Sequence, residues 1–146
     1  MYPDSPTIRQ AVIAEATTWI GTPFHYNNSM VRGAGVACGP LLIAVYGKVG
    51  IPVPAISSLG HFPMDWHMNT DEERYLNILL GFTKVVEIPQ PGDIALFKIG
   101  KVHGHSAIVT EWPRVIHVLW KSVVQHADAS LRPLKHRHQI YLSPFE

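Results

Sequence analysis

The sequence predicts an α+β fold in which helices from the N-terminal half pack on an antiparallel sheet from the C-terminal half. Three observations carry this. Apolar residues recur at helical spacing from Ile8 to Trp19, and Leu41 to Tyr46 is a helix-compatible apolar run. Short apolar or alternating runs separated by turn residues dominate from Val85 onward. Helices therefore precede strands instead of alternating with them, which favours an antiparallel sheet. With 146 residues, 47% hydrophobic and 16% charged, the chain is expected to form one globular domain over 1–146.

Taken in order, Ser5 caps the first helix with Pro6 at its first position, and Gly21 is the expected stop. Residues 22–36 read as a loop, with Pro23, Asn27, Asn28, Gly33 and Gly35. The second helix starts near Cys38, where Pro40 is tolerated in the first turn, and ends near Gly47 to Gly50. Ile51-Pro52-Val53-Pro54 forces an extended exit. Residues 55–69 form a long aromatic loop with His61, Phe62, Trp66 and His67. Thr70-Asp71-Glu72-Glu73 resembles a capping box and opens a third helix that runs to Leu80. Strands are expected at Val85–Ile88, Ile94–Phe97, Gly104–Thr110, Val115–Trp120, Val123–His126 and Gln139–Leu142, with a turn at Pro91-Gly92-Asp93. The basic stretch from Leu131 to His138 reads as solvated surface.

Composition excludes several classes. A net charge of +1 gives no basic surface for nucleic acid. No apolar run approaches the roughly 18 residues that a membrane span needs, so no membrane insertion is expected. Met1-Tyr2-Pro3-Asp4-Ser5-Pro6 lacks the basic start and apolar centre of a signal peptide, so synthesis is expected in the cytoplasm. The single cysteine, Cys38, excludes an internal disulfide and any multi-cysteine metal site.

Cys38 stands where a glycine-rich loop, Gly33-Ala34-Gly35-Val36-Ala37, runs into a helix. Helix N-terminal amides carry partial positive charge, so they favour thiolate over thiol and can receive an oxyanion. A lone cysteine is also a small buried hydrophobe, and position alone does not separate the two. His105 starts one strand and His117 lies in the next, so a hairpin turning near Trp112-Pro113-Arg114 makes them cross-strand neighbours. A thiolate, a histidine base and a polar group orienting that base form a cysteine-peptidase set. A rival reading is a three-histidine zinc site. His103 and His105, two apart on a strand, share one face and join His117.

The chain resembles the NlpC-type cysteine peptidases of bacterial peptidoglycan, in particular the small phage-encoded members. The resemblance rests on Trp19-Ile20-Gly21-Thr22-Pro23-Phe24, Gly35-Val36-Ala37-Cys38-Gly39-Pro40-Leu41, Tyr46 with Gly50, Ile51 and Pro54, Pro91-Gly92-Asp93-Ile94-Ala95-Leu96-Phe97, His105–Val109 and Ile116-His117. Asp65-Trp66 and Glu73-x-Tyr75-Leu76 resemble the insert of the phage subgroup. Together these motifs span roughly residues 8–126.

The resemblance implies a papain-like fold, with Cys38 as nucleophile, His105 as base and His117 as the orienting third member. It implies cleavage of an amide in the peptidoglycan stem peptide, between D-glutamate and the following diamino acid, without metal or cofactor. Other phage tail proteins are the implied partners, and a virion tail or the periplasm the implied destination.

Two positions depart from the family pattern. Ala37 replaces an aspartate that positions the loop or contacts a substrate amine. Phe24 replaces a tyrosine whose hydroxyl Tyr26 is placed to replace. Asp65 and Trp66, in the aromatic loop, complete the candidate substrate contacts. The main alternative is a tail component that keeps the fold and has lost the chemistry.

Overall fold

The computed structural model describes residues 1–26, 28–60 and 73–146. Helix α1 spans Pro6–Thr17 with Ser5 as N-cap, its hydroxyl accepting from Ile8 N at 3.2 Å. Such a cap contributes about 1 kcal/mol. The helix stops before Gly21 for a local reason. Thr17 Oγ1 donates to Ile13 O and Thr18 Oγ1 to Glu15 O, so both hydroxyls compete for helix carbonyls. Trp19, in the turn beyond, is still buried.

The segment expected to be a plain loop contains a two-stranded ribbon, β1 (Met30–Val31) against β2 (Gly35–Val36). A Cβ at Gly35 would sit 2.8 Å from His25 Cβ, so glycine is what lets β2 pass the His25 side chain. Helix α2 spans Cys38–Lys48 and buries Leu41, Leu42, Val45 and Tyr46. A short 3-10 turn follows at Ile56–Leu59, and helix α3 spans Arg74–Leu80. Glu73 is the N-cap residue of α3, without a side-chain cap bond, and the rest of the expected capping box lies outside the described residues.

The sheet comprises β3 (Lys84–Val86), β4 (Ile94–Ile99), β5 (Val102–Glu111), β6 (Arg114–His117), β7 (Gln125–Asp128) and β8 (Gln139–Ser143), in the order β3-β8-β4-β5-β6-β7. Every pairing is antiparallel. The α+β expectation is met. Two strands differ from it. β6 ends at His117 and β7 starts at Gln125, because residues 119–122 turn and Val124 instead bonds back to Gly21 and Thr22.

Both faces of the sheet centre are covered, which explains the unbroken apolar run Ile94-Ala95-Leu96-Phe97. Ile94, Leu96, Ile108, Ile116 and Leu142 join the main core with the helices. Ala95, Phe97, Ala107, Val109 and Val115 form a second cluster capped by Leu134. The 131–138 stretch is therefore not simply solvated surface, since Leu134 is buried beneath the sheet. Arg9 ties α1 to the start of β4 through Pro91 O and Asp93, and Tyr46 Oη donates to Gly92 O at 2.7 Å. These bonds fix α2, with its N-terminus, against the central strands.

Candidate active site

Cys38 is the first residue of α2 and is partly buried. The N-cap, Ala37, makes no side-chain cap bond. Pro40 has no N–H, and Leu41 N already donates to Ala37 O at 2.9 Å. The amides left open at this helix end are those of Cys38 and Gly39, which meet no acceptor among the described residues. The thiol itself donates to Gly104 O at 3.9 Å.

Gly104 is also where β5 departs from regular pairing. Phe97 faces His105 but Lys98 faces His103, so one residue of β5 is extra at this point. The bulge puts His103 and His105 on opposite faces. His105 lies beside Phe97, ring centroids 6.1 Å apart, and its Nε2 is 2.9 Å from His117 Nδ1. Both histidines are buried, at 6% and 2% exposure. They meet diagonally across the β5–β6 hairpin, whose register pairs Ile108 with Ile116.

Burial holds the His105 imidazole far below the ordinary histidine range, with further lowering from the His117 ring and the Arg137 charge. Burial alone does the same to His117. Both rings are therefore neutral near pH 7, and a single proton joins them. If His105 Nε2–H donates to His117 Nδ1, the lone pair of His105 is left on Nδ1, free to act as a base. Among the described residues no hydrogen bond joins Sγ to the His105 ring. The thiol rests on the backbone next to it, and catalytic hydrogen bonds are often loose before substrate binds.

His103 faces the other way into a separate cluster. Its backbone N–H and Nδ1 both meet the Glu73 carboxylate, at 2.9 and 2.6 Å, and its Nε2 is 2.8 Å from His138 Nδ1. The expectation that His103 and His105 share a face is thus overturned by the bulge, and the three-histidine zinc site does not form. Among the described residues no group of three or more His, Cys, Asp or Glu is placed to hold a metal ion.

Phe24 is half-buried against the main core, bridged to Val36. Tyr26 is 56% exposed and stacks on His25. Asp65 and Trp66 lie outside the described residues. Two residues not singled out for chemistry stand at the site. Tyr75 Oη is 2.7 Å from Ser106 Oγ and 3.3 Å from where a Cβ on Gly39 would sit. A tyrosine within a helical apolar pattern reads as core, and nothing local tells that it reaches the end of another helix.

No protein-family model matches the chain, and no curated protein matches its sequence. Solved structures do match. A Staphylococcus aureus protein described as similar to lipoprotein, NLP/P60 family, has a TM-score of 0.70 at 19% identity, covering 99% of this chain and 43% of that one. The fold is that of the NlpC/P60 domains. The NlpC/p60 domain of the peptidoglycan hydrolase SagA has a TM-score of 0.60 at 16% identity, with 90% of this chain and 96% of that one covered. RipD from Mycobacterium tuberculosis, described as a non-catalytic NlpC/p60 domain protein adapted to peptidoglycan binding, has a TM-score of 0.62 at 15% identity over 93% and 96%. The present chain spans less than half the length of the staphylococcal protein.

Proposed function

We propose that this chain is a cysteine peptidase of the NlpC/P60 type that hydrolyses an amide bond in the peptidoglycan stem peptide. The buried His105–His117 pair, its Nε2 and Nδ1 2.9 Å apart and His105 next in sequence to the Gly104 carbonyl that Cys38 touches, carries this reading. A structural role alone does not call for two buried histidines bonded to each other, the first of them next in sequence to the carbonyl that a thiol at an uncapped helix end touches. The fold shared with the peptidoglycan hydrolase SagA supplies the substrate class.

In this reading His105 Nδ1 takes the Cys38 proton, and the thiolate stabilises the imidazolium it has created. Sγ attacks the scissile carbonyl carbon. The oxyanion that forms is received by the amides of Cys38 and Gly39. On collapse the C–N bond breaks, and His105 returns the proton to the leaving amine. Water, activated by the same imidazole, then hydrolyses the thioester and restores the thiol. His117 holds the His105 tautomer throughout. The proposed bond is D-glutamyl–diamino acid, and the proposed setting is a phage tail that penetrates the cell wall.

Purified peptidoglycan digested by the chain, with products identified by mass spectrometry, tests this. New stem-peptide fragments that vanish in Cys38→Ala support the reading and name the bond. No fragments from several wall types, with retained binding to the insoluble wall, supports a second reading. That reading is a binding domain without catalysis, favoured by the RipD likeness and by the absence of a direct thiol–imidazole bond among the described residues.

A further inference from the structure

A thiol and a thiolate need different partners. Cys38 Sγ rests against an acceptor, the Gly104 carbonyl, at 3.9 Å. That contact stabilises S–H. Once the proton has left, the carbonyl dipole repels the sulfur, and a donor must replace it. The open amides of Cys38 and Gly39 are committed to the oxyanion under the proposed mechanism. Among the described residues, the Tyr75 hydroxyl is a further donor at this helix end.

Tyr75 comes from α3 and is 4% exposed. Its Oη sits 2.7 Å from Ser106 Oγ and 3.3 Å from the Cβ position of Gly39, the residue after the cysteine. Two hydroxyls this close share one hydrogen bond, so one donates and the other, accepting, keeps its own hydrogen for a further acceptor. If Ser106 donates to Tyr75 Oη, the phenol hydrogen points toward Cys38, the thiol side chain within its reach. Burial, and the charge on Cys38 behind it, push the Tyr75 phenol well above its ordinary range, so it stays a donor at any working pH.

We propose that Tyr75 is a positioning residue that donates its hydroxyl hydrogen to the Cys38 thiolate, with Ser106 donating in turn to Tyr75. The proposal rests on Cys38 being the nucleophile. It gives this chain the site hydroxyl that Phe24 lacks and that Tyr26, exposed on the loop, does not bring.

The test is the rate of Cys38 alkylation by iodoacetamide against pH, followed by mass, in the wild type, Tyr75→Phe and Ser106→Ala. This readout follows thiolate population and needs no wall substrate. Tyr75→Phe is expected to move the profile up by about one pH unit and so slow alkylation near pH 7 about tenfold. Ser106→Ala shifts it the same way by less. An unchanged profile in folded Tyr75→Phe overturns the proposal. Should Tyr75→Phe not fold, Ser106→Ala decides: a shifted profile supports the relay and an unshifted one overturns it. A wild type that alkylates as expected but releases no wall fragments counts against the peptidase reading alone.

Discussion

Among the described residues two histidine pairs share ring spacing and tilt and are opposite as sites. His105 and His117 have ring centroids 5.1 Å apart and planes at 67°, and His103 and His138 have 5.0 Å and 66°. Each pair shares one Nε2–Nδ1 contact. The surroundings differ. The first pair is sealed from solvent on the Phe97 face of the sheet, and His105 follows Gly104, whose carbonyl the thiol touches. The second ends at one side on the Glu73 carboxylate and at the other on exposed His138. Imidazole geometry alone does not make a base. What sets the first pair apart is enclosure, no bound carboxylate among the described residues, and a place in sequence next to the carbonyl that the sulfur touches. The second pair is a clamp, because Glu73 holds both the ring and the backbone N–H of His103 at the bulge.

The sharpest way to break this contrast is to remove one histidine from each pair. His105→Ala is expected to lower turnover on peptidoglycan by about a thousandfold, the scale of losing a general base. His117→Ala loses less, since orientation rather than proton transfer is removed. His103→Gln, two residues from His105 in sequence, should stay within a few fold of wild type in initial rate per folded molecule. Equal losses in His103→Gln and His105→Ala would show that the bulge, not the buried pair, is what catalysis needs.

Acid separates the pairs next. His105 and His117 are lowered by burial, so the unfolded chain binds protons that the folded chain refuses. Stability therefore rises with pH through this window. It is fully present above the ordinary histidine pKa, near ~6.5, and falls as pH drops below it toward the lowered folded values. From pH 7 to pH 5 the loss is about 2 kcal/mol for each such histidine. Urea melts at the two values should show it, and His117→Gln should remove part of the slope. A His117→Gln variant as acid-sensitive as the wild type would mean that the sealed pair does not set the pH dependence.

How much of this was legible in the chain depends on how local the cause is. Cys38 at the head of α2 follows from glycines running into an apolar helical pattern. The meeting of His105 and His117 follows from strand alternation and a turn near Pro113. The separation of His103 from His105 does not follow from alternation, because one extra residue reverses every side chain beyond it. Gly104, a glycine inside an apolar strand, was the signal available for that bulge. Glu73 looked like part of a capping box, yet its carboxylate serves a strand thirty residues away in sequence. Tyr75 and Leu134 depend wholly on tertiary packing. A helix tyrosine gives no hint that it ends beside a cysteine, and a leucine in a basic stretch gives none that it caps the far face of the sheet.

The smallest expected effect concerns the sulfur side of the contrast. Ala37 sits in extended backbone, φ −102° and ψ 175°, as an N-cap should, but offers no acceptor. Ala37→Asp adds one and should stabilise the fold by about 1 kcal/mol, seen as a higher melting temperature. A capping carboxylate ordinarily takes the N–H of the second or third helical residue. The third here is Pro40, which has none, so the new side chain must take Gly39 N–H. That amide is one of the two proposed to receive the oxyanion. The gain in stability is therefore expected to come with a several-fold loss of turnover. If Ala37→Asp instead stabilises the protein and turns over faster, Gly39 N–H is not an oxyanion donor, and the developing charge must be held by Cys38 N–H and groups brought by the substrate.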